Sequence, residues 1–306
     1  MSGEFSSINS FSSDFINVLK SRHKILNNIR KFFDIRDYLE VETPLMVKCP
    51  GIDPYIDPII SGDGFYLATS PELHMKRLLT AGIDKIYQIT RSFRSEESGA
   101  LHNNEFTMLE WYRAGSDYLD IMIETESLIS HLCGSDIISK NRFTFPFKRI
   151  TVDELFNKVA GWEPSVNWDE DRYFRDWAEK IDPYLGEIDA VFVMDFPASL
   201  SALSKLKEDN SLVCERFELY LYGVEIANAY SELTGLSEHT LCFENALKRR
   251  QALGKKICDI DTGFMDAVRK GIPESGGVAL GFDRLVMVML EKTRIEDVIA
   301  FPENRL

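Results

Sequence analysis

The chain has 306 residues, of which 44% are hydrophobic, and a formal net charge of -14 at pH 7. This length can bury a large core in about one to two domains. No stretch approaches the roughly 18 uninterrupted apolar residues of a membrane helix, because the best candidate, "VALGFDRLVMVML", contains Asp283 and Arg284. The N-terminus also lacks the basic and apolar blocks of a signal peptide. We therefore expect a cytoplasmic protein with no membrane contact.

The acidic balance disfavours tRNA or any other nucleic acid as a partner, since phosphate backbones are bound through clustered Lys and Arg. Five cysteines are scattered without a CxxC or a metal-ligand spacing. Such a set is typical of reduced thiols in the cytoplasm rather than of a disulfide framework.

The first predicted elements are a helix and a strand. Apolar side chains recur at helical spacing over residues 15–38, and "YLEVETPLM" reads as a strand that Pro44 ends. A second short strand follows in "GFYLATS". The next helix is predicted to have Ser70 as N-cap and Pro71 as its first residue, which places Glu72 in the first turn.

Two β-rich segments, "KIYQITRSFR" and "EFTMLEWYR", then predict an antiparallel hairpin with a short polar loop. A helix opened by Ser116 and Asp117 is expected to run to about Cys133. Residues 134–188 are less regular, and we interpret them as a helical insertion. Strands return at "AVFVMDFP" and in a hairpin around Gly223 within "ERFELYLYGVEIANAY".

The chain closes with helices over about 237–253 and 261–270, the strand "GVALG" and the helix "FDRLVMVML". Strands paired largely by hairpins, with helices beside them, predict an α+β fold around an antiparallel sheet flanked by helices. We expect one catalytic domain over residues 16–306, preceded by a flexible N-terminus at residues 1–15.

Charged side chains are concentrated in the first predicted hairpin. Because side chains two apart share a face, strand "EFTMLEWYR" presents Phe106, Glu110 and Tyr112 together. Arg94 likewise shares a face with Glu96, and the guanidinium fork suits a phosphate or a carboxylate. A solvated hairpin with weak surface ion pairs is the alternative.

The second predicted hairpin carries carboxylates in an apolar segment, where unpaired charges are costly. Glu218 and Glu225 lie on its two arms and could converge on a magnesium ion (Mg2+), which typically takes one or two protein carboxylates besides phosphate oxygens. Edge carboxylates in solvent are the alternative. The last segment, "GGVALGFDRLVM", places Arg284 at a helix N-terminus, which suits an anion, and Gly281 permits close approach of a flat ligand.

These pieces resemble the class II aminoacyl-tRNA synthetases. "VETPLM", "FRSEESGALHNNEFTMLEWY" and "GVALGFDR" are similar to motifs 1, 2 and 3 of that class, and "TSPELHMKRLL", "HNNEFTMLEWY" and "GVEIANAYSEL" resemble its lysyl branch. The likeness covers residues 16–301 and implies a class II catalytic domain that uses ATP and Mg2+ to activate lysine or a close analogue, within a homodimer.

The resemblance also implies roles for individual residues. Arg94 and Arg284 would be catalytic, with Arg94 on the α-phosphate. ATP would be bound by Arg94, Glu96, His102, Asn103, Phe106, Glu225, Ile226, Gly281 and Arg284, and Mg2+ by Glu218 and Glu225. The amino acid would be bound by Ser70, Glu72, Glu110, Tyr112, Asn228, Glu232 and Ala279, with the two amines at Glu232 with Tyr112 and at Glu72.

One difference from the lysyl-tRNA synthetases indicates which group of related proteins the chain resembles more. A lysyl-tRNA synthetase carries an N-terminal anticodon-binding domain, for which the residues before the first helix leave no room. The chain is more similar to the elongation factor P lysine ligases, paralogues that transfer (R)-β-lysine to a lysine of elongation factor P. Ala279 in "GVALG" resembles those ligases, whereas lysyl-tRNA synthetases typically have Gly. Ala229 replaces the Gly that the family usually has in "ANGF".

Three other functions stay open. A compact lysyl-tRNA synthetase would need a basic surface for tRNA. An ammonia-dependent asparagine synthetase shares the fold class but has no use for the set Glu72, Tyr112 and Glu232. An inactive paralogue that only binds would not need both Arg94 and the carboxylate pair.

Overall fold

The computed structural model describes residues 12–51, 53–135, 138 and 142–305. Within these residues, eight strands form the central sheet. Their spatial order is β1 (Leu39–Glu40), β5 (Lys85–Phe93), β6 (Glu105–Ala114), β11 (Ser275–Gly281), β10 (Val224–Ser231), β9 (Val213–Leu221), β8 (Ala190–Pro197) and β7 (Lys148–Thr151). A smaller sheet contains β2 (Met46–Val47), β4 (Phe65–Leu67) and β3 (Ile60–Gly62).

The pairing of the strands confirms the expected α+β fold around an antiparallel sheet. Both predicted hairpins form, β5 with β6 and β9 with β10. Parallel pairing is confined to β1 with β5 and β7 with β8, near the two edges. Strand β11 pairs with β6 on one side and β10 on the other. The late "GVALG" segment therefore joins the two hairpins side by side.

Helices cover both faces of the sheet. Their ranges are α1 (Ser13–Asp34), α2 (Glu72–Leu79), α3 (Tyr118–Cys133), α4 (Val152–Ala160), α5 (Glu170–Asp176), α6 (Asp182–Gly186), α7 (Leu236–Ala252), α8 (Thr262–Lys270) and α9 (Phe282–Met289). The largest core joins α1, α3 and α9 to one face through fully buried side chains such as Phe32, Trp111 and Leu285. None of the helices in the described part of the chain is long and apolar enough to cross a membrane.

Two predicted boundaries differ from the structure. Helix α1 begins at Ser13, and the Ser12 hydroxyl caps it by accepting a hydrogen bond from Phe15 N. The predicted flexible segment, residues 1–15, therefore overlaps the helix. Residues 1–11 lie outside the described residues. Helix α2 begins at Glu72, one residue later than predicted, and Pro71 takes the N-cap position in a turn conformation (φ -82°, ψ -1°). The Ser70 hydroxyl still accepts a hydrogen bond of 3.4 Å from Glu72 N at the start of the helix.

The predicted helical insertion over residues 134–188 contains a strand as well as helices. Strand β7 joins the main sheet parallel to β8 and leads directly into α4, where Thr151 and Glu154 form a capping box. A four-residue strand is too short to show a period of its own, which is why the sequence did not reveal it. The tryptophans of the region pack with Phe156 and Tyr173 against the sheet. The region is therefore part of the same domain.

Candidate active site

A cavity of about 510 Å³ opens on the face of the sheet opposite the α1, α3 and α9 core. All of the predicted site residues except Glu96 and Glu218 line it. Strand order explains the convergence: Ala279 on β11 lies directly opposite Glu110 on β6 and Asn228 on β10. Segments far apart in the chain thus present their polar side chains to one space.

A β-bulge brings Glu225 to this face. Residues three apart on a regular strand point to opposite faces, which would separate Glu225 from Asn228. The register of β10 against β9 shifts between Glu225 and Ala227, and this extra residue turns Glu225 to the side of Asn228. Tyr230 and Glu232 follow at even spacing and line the same cavity.

Two glycines shape the cavity in different ways. A Cβ on Gly277 would lie 2.3 Å from Glu232 Oε1 and 2.3 Å from Tyr112 Cε1, so only glycine permits that carboxylate and ring to meet over β11. A Cβ on Gly281 would find no protein atom closer than 3.7 Å. The fold does not require glycine at position 281, and the open space there suits a ligand.

One end of the cavity, here called the acid end, is formed by Glu72, Glu110 and Glu232 around Lys76. Lys76 Nζ lies 2.6 Å from Glu72 Oε1 and 2.5 Å from Glu232 Oε2, and its side chain is 1% exposed. Tyr230 donates a hydrogen bond of 2.7 Å to Glu72, and Tyr112 one of 2.6 Å to Glu110. Two carboxylates thus share one resident cation, and the third, Glu110, is held by a tyrosine.

Burial changes the ionisation of this end. It raises the pKa of Glu110 to about 8, with the charge of Glu72 adding to the effect, and it raises that of Glu232 to about 8 against the opposing charge of Lys76. Burial alone would raise the pKa of Glu72, but the charge and hydrogen bond of Lys76, together with the hydrogen bond from Tyr230, lower it overall. Glu110 Oε2 and Glu232 Oε1 have no hydrogen-bond partner among the described residues. Both are acceptors suited to a cationic ligand.

The other end, here called the basic end, is formed by Arg94, His102 and Arg284 around Phe106. Arg284 donates to the carbonyl oxygens of Leu101 and Glu225, and lies against the His102 ring. Its Nη1 is 3.4 Å from Glu225 Oε2, and Arg94 Nη1 is 3.8 Å from Glu97 Oε2. The Arg94 guanidinium lies over the Phe106 ring at 5.1 Å, and its Nε has no partner among the described residues.

The hairpin loop differs in part from the predicted arrangement. Glu96 is exposed with a positive φ of 64°, outside the cavity lining, and Glu97 lines the cavity in its place. The strand alternation used to place Glu96 ends at Phe93, where β5 stops. Asn103 lines the cavity, and its amide holds the C-terminal segment by accepting from Glu303 N at 3.1 Å.

The predicted metal pair lies on adjacent strands, but its two members differ in environment. Glu225 is 40% exposed and lines the cavity. Glu218 is buried and accepts hydrogen bonds from Arg216 at 2.7 Å and Tyr220 at 2.6 Å, and burial raises its pKa. No group of three or more metal-ligating side chains occurs in the described part of the chain. The pair fits an ion that arrives with phosphate oxygens, rather than one held by protein alone.

Three cavity features were not predicted from the sequence. Lys76 lies one helical turn after Glu72, a spacing that could have indicated their ion pair. Tyr230 follows Asn228 by two residues, so strand alternation placed it on the same face. Asp283, beside Arg284, lines the cavity and accepts from Thr107 N at 2.6 Å, a contact that no local pattern indicates.

The comparison with known proteins agrees with this architecture. The family model of class II tRNA synthetases (D, K and N) matches residues 5–305. The elongation factor P--(R)-beta-lysine ligase of Proteus mirabilis (strain HI4320) is 40% identical over 96% of this chain and 97% of its own length. The ligases of that name from Edwardsiella ictaluri (strain 93-146) and Sodalis glossinidius (strain morsitans) are each 39% identical with the same coverage.

The chain belongs to the elongation factor P--(R)-beta-lysine ligase family. It is thus a ligase built on the class II synthetase fold, as the resemblance of its motifs indicated. The departure at Ala229 falls on the core side of β10, where the residue is fully buried among apolar side chains. It leaves the cavity of this ligase fold unaltered.

Proposed function

We propose that the protein activates lysine or (R)-β-lysine with ATP as an aminoacyl-adenylate and transfers the aminoacyl group to a lysine side chain of elongation factor P. The observation that carries this proposal is the two-ended cavity. Its acid end suits the two ammonium groups of a diamino acid, and its basic end suits a triphosphate. The names of the relatives support elongation factor P as the acceptor.

The acid end would hold the amino acid by charge. Glu232 with Tyr112 would bind one ammonium group and Glu72 the other, while Glu110 serves either. The Asn228 amide would bind the carboxylate, and Ser70 and Ala279 would form the adjoining walls. The free acceptor oxygens of Glu110 and Glu232 support this assignment, because a buried carboxylate oxygen without a partner is stabilised by a cationic donor.

The basic end would hold ATP. Phe106 and Gly281 offer a flat surface for adenine, with Ile226, His102 and Asn103 beside it, and Arg284 suits the terminal phosphates. Glu225 and Glu218 would hold Mg2+ together with phosphate oxygens, and Mg2+ would neutralise phosphate charge. Glu96 would reach the nucleotide only if the hairpin loop moved inward.

In the first reaction, a carboxylate oxygen of the amino acid attacks the α-phosphorus and pyrophosphate leaves. Arg94 would stabilise the negative charge that develops on the α-phosphate. In the second, the ε-amine of the acceptor lysine attacks the adenylate carbonyl carbon, an amide bond forms and AMP leaves with the bonding electron pair. The attacking amine loses one proton to solvent. Neither step requires a redox partner.

A homodimer and a cytoplasmic location are further parts of the proposal. The dimer is supported by the resemblance to motif 1 and by exposed apolar side chains in and flanking that segment of the sequence, among them Ile35 (70% exposed), Met46 (53%) and Ile60 (58%). Exposed apolar side chains that form a contiguous patch commonly mark an interface. Transfer to tRNA is disfavoured by the net charge of -14.

Exchange of pyrophosphate into ATP tests the activation step. We expect exchange that depends on (R)-β-lysine or lysine, and little exchange with norleucine, which has the same chain length as lysine but lacks its side-chain ammonium. Equal exchange with norleucine would contradict the assignment of the acid end. Absence of exchange with every amino acid, in a protein that unfolds cooperatively, would contradict the proposed activity itself.

A further inference from the structure

Arg216 on β9 makes three polar contacts at a buried point beside the cavity. Its Nη2 donates to Glu218 Oε1 at 2.7 Å, its Nε to Asn228 Oδ1 at 3.2 Å and its Nη1 to the carbonyl oxygen of Leu200 at 2.8 Å. The side chain is 16% exposed, and the guanidinium lies over the Phe196 ring at 4.6 Å. The orientation of Arg216 is therefore fixed on every side.

The partners of Arg216 belong to different parts of the proposed site. Asn228 lies where the carboxylate of the amino acid would bind, whereas Glu218 belongs to the pair proposed for the nucleotide's Mg2+. Leu200 precedes Ala202 and Leu203, which line the cavity. A guanidinium is planar and holds its donors in fixed directions, so a shift at one partner is transmitted to the others.

We propose that Arg216 is a positioning residue that couples binding of the amino acid to binding of the nucleotide. This inference rests on the proposed function. With Asn228 Oδ1 held by Arg216, the Asn228 Nδ2 group is free to donate to the amino acid's carboxylate. A substrate carboxylate that accepts from Asn228 Nδ2 completes a chain of hydrogen bonds, which runs through the Asn228 amide and the Arg216 guanidinium to Glu218. Each hydrogen bond in such a chain polarises the next. The amino acid thereby fixes the position of Glu218, the buried member of the pair proposed for the nucleotide's Mg2+.

Calorimetric titration of Mg2+ with a non-hydrolysable ATP analogue, in the absence and presence of saturating (R)-β-lysine, measures the coupling directly. We expect the amino acid to tighten analogue binding at least about fivefold in the parent protein, within the usual range of couplings between sites. Arg216→Lys keeps the charge but cannot hold three partners, so the coupling should fall below about twofold while each ligand alone still binds.

Two further variants make the test specific. Arg142→Lys changes a partly buried arginine that bonds Glu291 and the Val288 carbonyl, away from the cavity, and should keep the parent coupling. Asn228→Ser removes the amide that connects the amino acid to Arg216 and should also abolish the coupling. This variant provides the test if Arg216→Lys does not fold. Coupling that persists in both site variants, or that is absent from the parent although each ligand binds, would overturn the inference. Failure of the parent to bind either ligand would contradict the proposed function instead.

Discussion

Charged side chains at the acid end lie 2.5 to 2.7 Å from their partners, whereas the ion pairs of Arg94 and Arg284 at the basic end are 3.4 to 3.8 Å long. At the acid end Lys76, Glu110 and Glu232 are each 1% exposed, although Glu72 at its margin is 23% exposed, and the arginines of the basic end are 21 to 25% exposed. We infer that the acid end is preformed by the fold, while the basic end is completed when the nucleotide binds. The two ends should therefore respond differently to mutation.

Removal of Lys76 should have the largest effect on stability. Lys76→Met leaves buried Glu232 and partly buried Glu72 without their cation, and breaking a buried pair in this way typically costs about 3 to 5 kcal/mol. Urea unfolding at pH 8.5 should show this loss, with a smaller loss at pH 6, where Glu110 and Glu232 can take up protons. Lys248→Met removes an exposed ion pair of the same i,i+4 spacing and should cost less than about 1 kcal/mol. Equal losses in the two variants would show that the acid end is not preformed around Lys76.

Removal of Arg94 should lower activity and leave stability nearly unchanged. Arg94→Ala should leave the free energy of unfolding nearly unchanged, because the ion pair with Glu97 is long and partly exposed. Pyrophosphate exchange should fall on the order of a hundredfold or more, since the charge acts on the transition state. Arg91→Ala, which removes an arginine on β5 that pairs with exposed Glu105 on the neighbouring β6, is the control and should stay within a few-fold. Exchange by Arg94→Ala at a comparable level would remove Arg94 from the reaction.

Ala279 provides a test of selectivity at the acid end. Its Cβ faces the cavity between Glu110 and Asn228. There it should crowd lysine, whose amine is on the α-carbon, and tolerate (R)-β-lysine, whose amine is on the next carbon. A methyl-sized change in a pocket is worth roughly ten- to two-hundredfold in selectivity. We predict that Ala279→Gly raises kcat/KM for lysine relative to (R)-β-lysine by at least about tenfold. Ala229→Gly on the core side of β10 should leave the ratio unchanged. A ratio that does not move in Ala279→Gly would exclude Ala279 as the discriminator.

The smallest predicted effect is a dependence of substrate binding on pH. Carboxyls with a pKa of about 8 are mostly neutral at pH 6.5 and become charged as the pH rises to 8.5. The substrate's side-chain ammonium, with an ordinary pKa near 10.4, stays protonated over this range. KM for the diamino acid at saturating ATP should therefore fall about fivefold with rising pH, since each charged carboxyl favours the cation. Folding responds in the opposite direction: because the pKa of these carboxyls is raised in the folded state, the stability associated with their neutral form is lost as the pH rises from about 4.3, the ordinary pKa of Glu, to about 8. Glu110→Gln should flatten the KM profile, and a KM that rises with pH would contradict the assignment.

Local patterns were sufficient to predict most elements, whereas most of the cavity residues were indicated by the resemblance of the motifs to the class II synthetases. Alternation on β6 brought Phe106, Glu110 and Tyr112 to one face, and Gly223 marked the second hairpin correctly. Features that depend on tertiary contacts were not predictable from local sequence. The bulge that turns Glu225 into the cavity, the burial of Lys76 and the position of β7 arise from neighbouring strands and helices, which no local period records. Glu96 was misplaced because alternation was extended beyond the end of β5.

We propose that the two-ended cavity of this acidic protein serves a protein acceptor. The most direct test is to incubate the protein with ATP, Mg2+ and labelled (R)-β-lysine in the presence of both elongation factor P and lysine-specific tRNA. The measurement is which of the two acceptors carries the label. We expect label on a single lysine of elongation factor P, confirmed by peptide mass spectrometry, and little label on tRNA. Efficient, salt-sensitive charging of tRNA with no label on elongation factor P would contradict it.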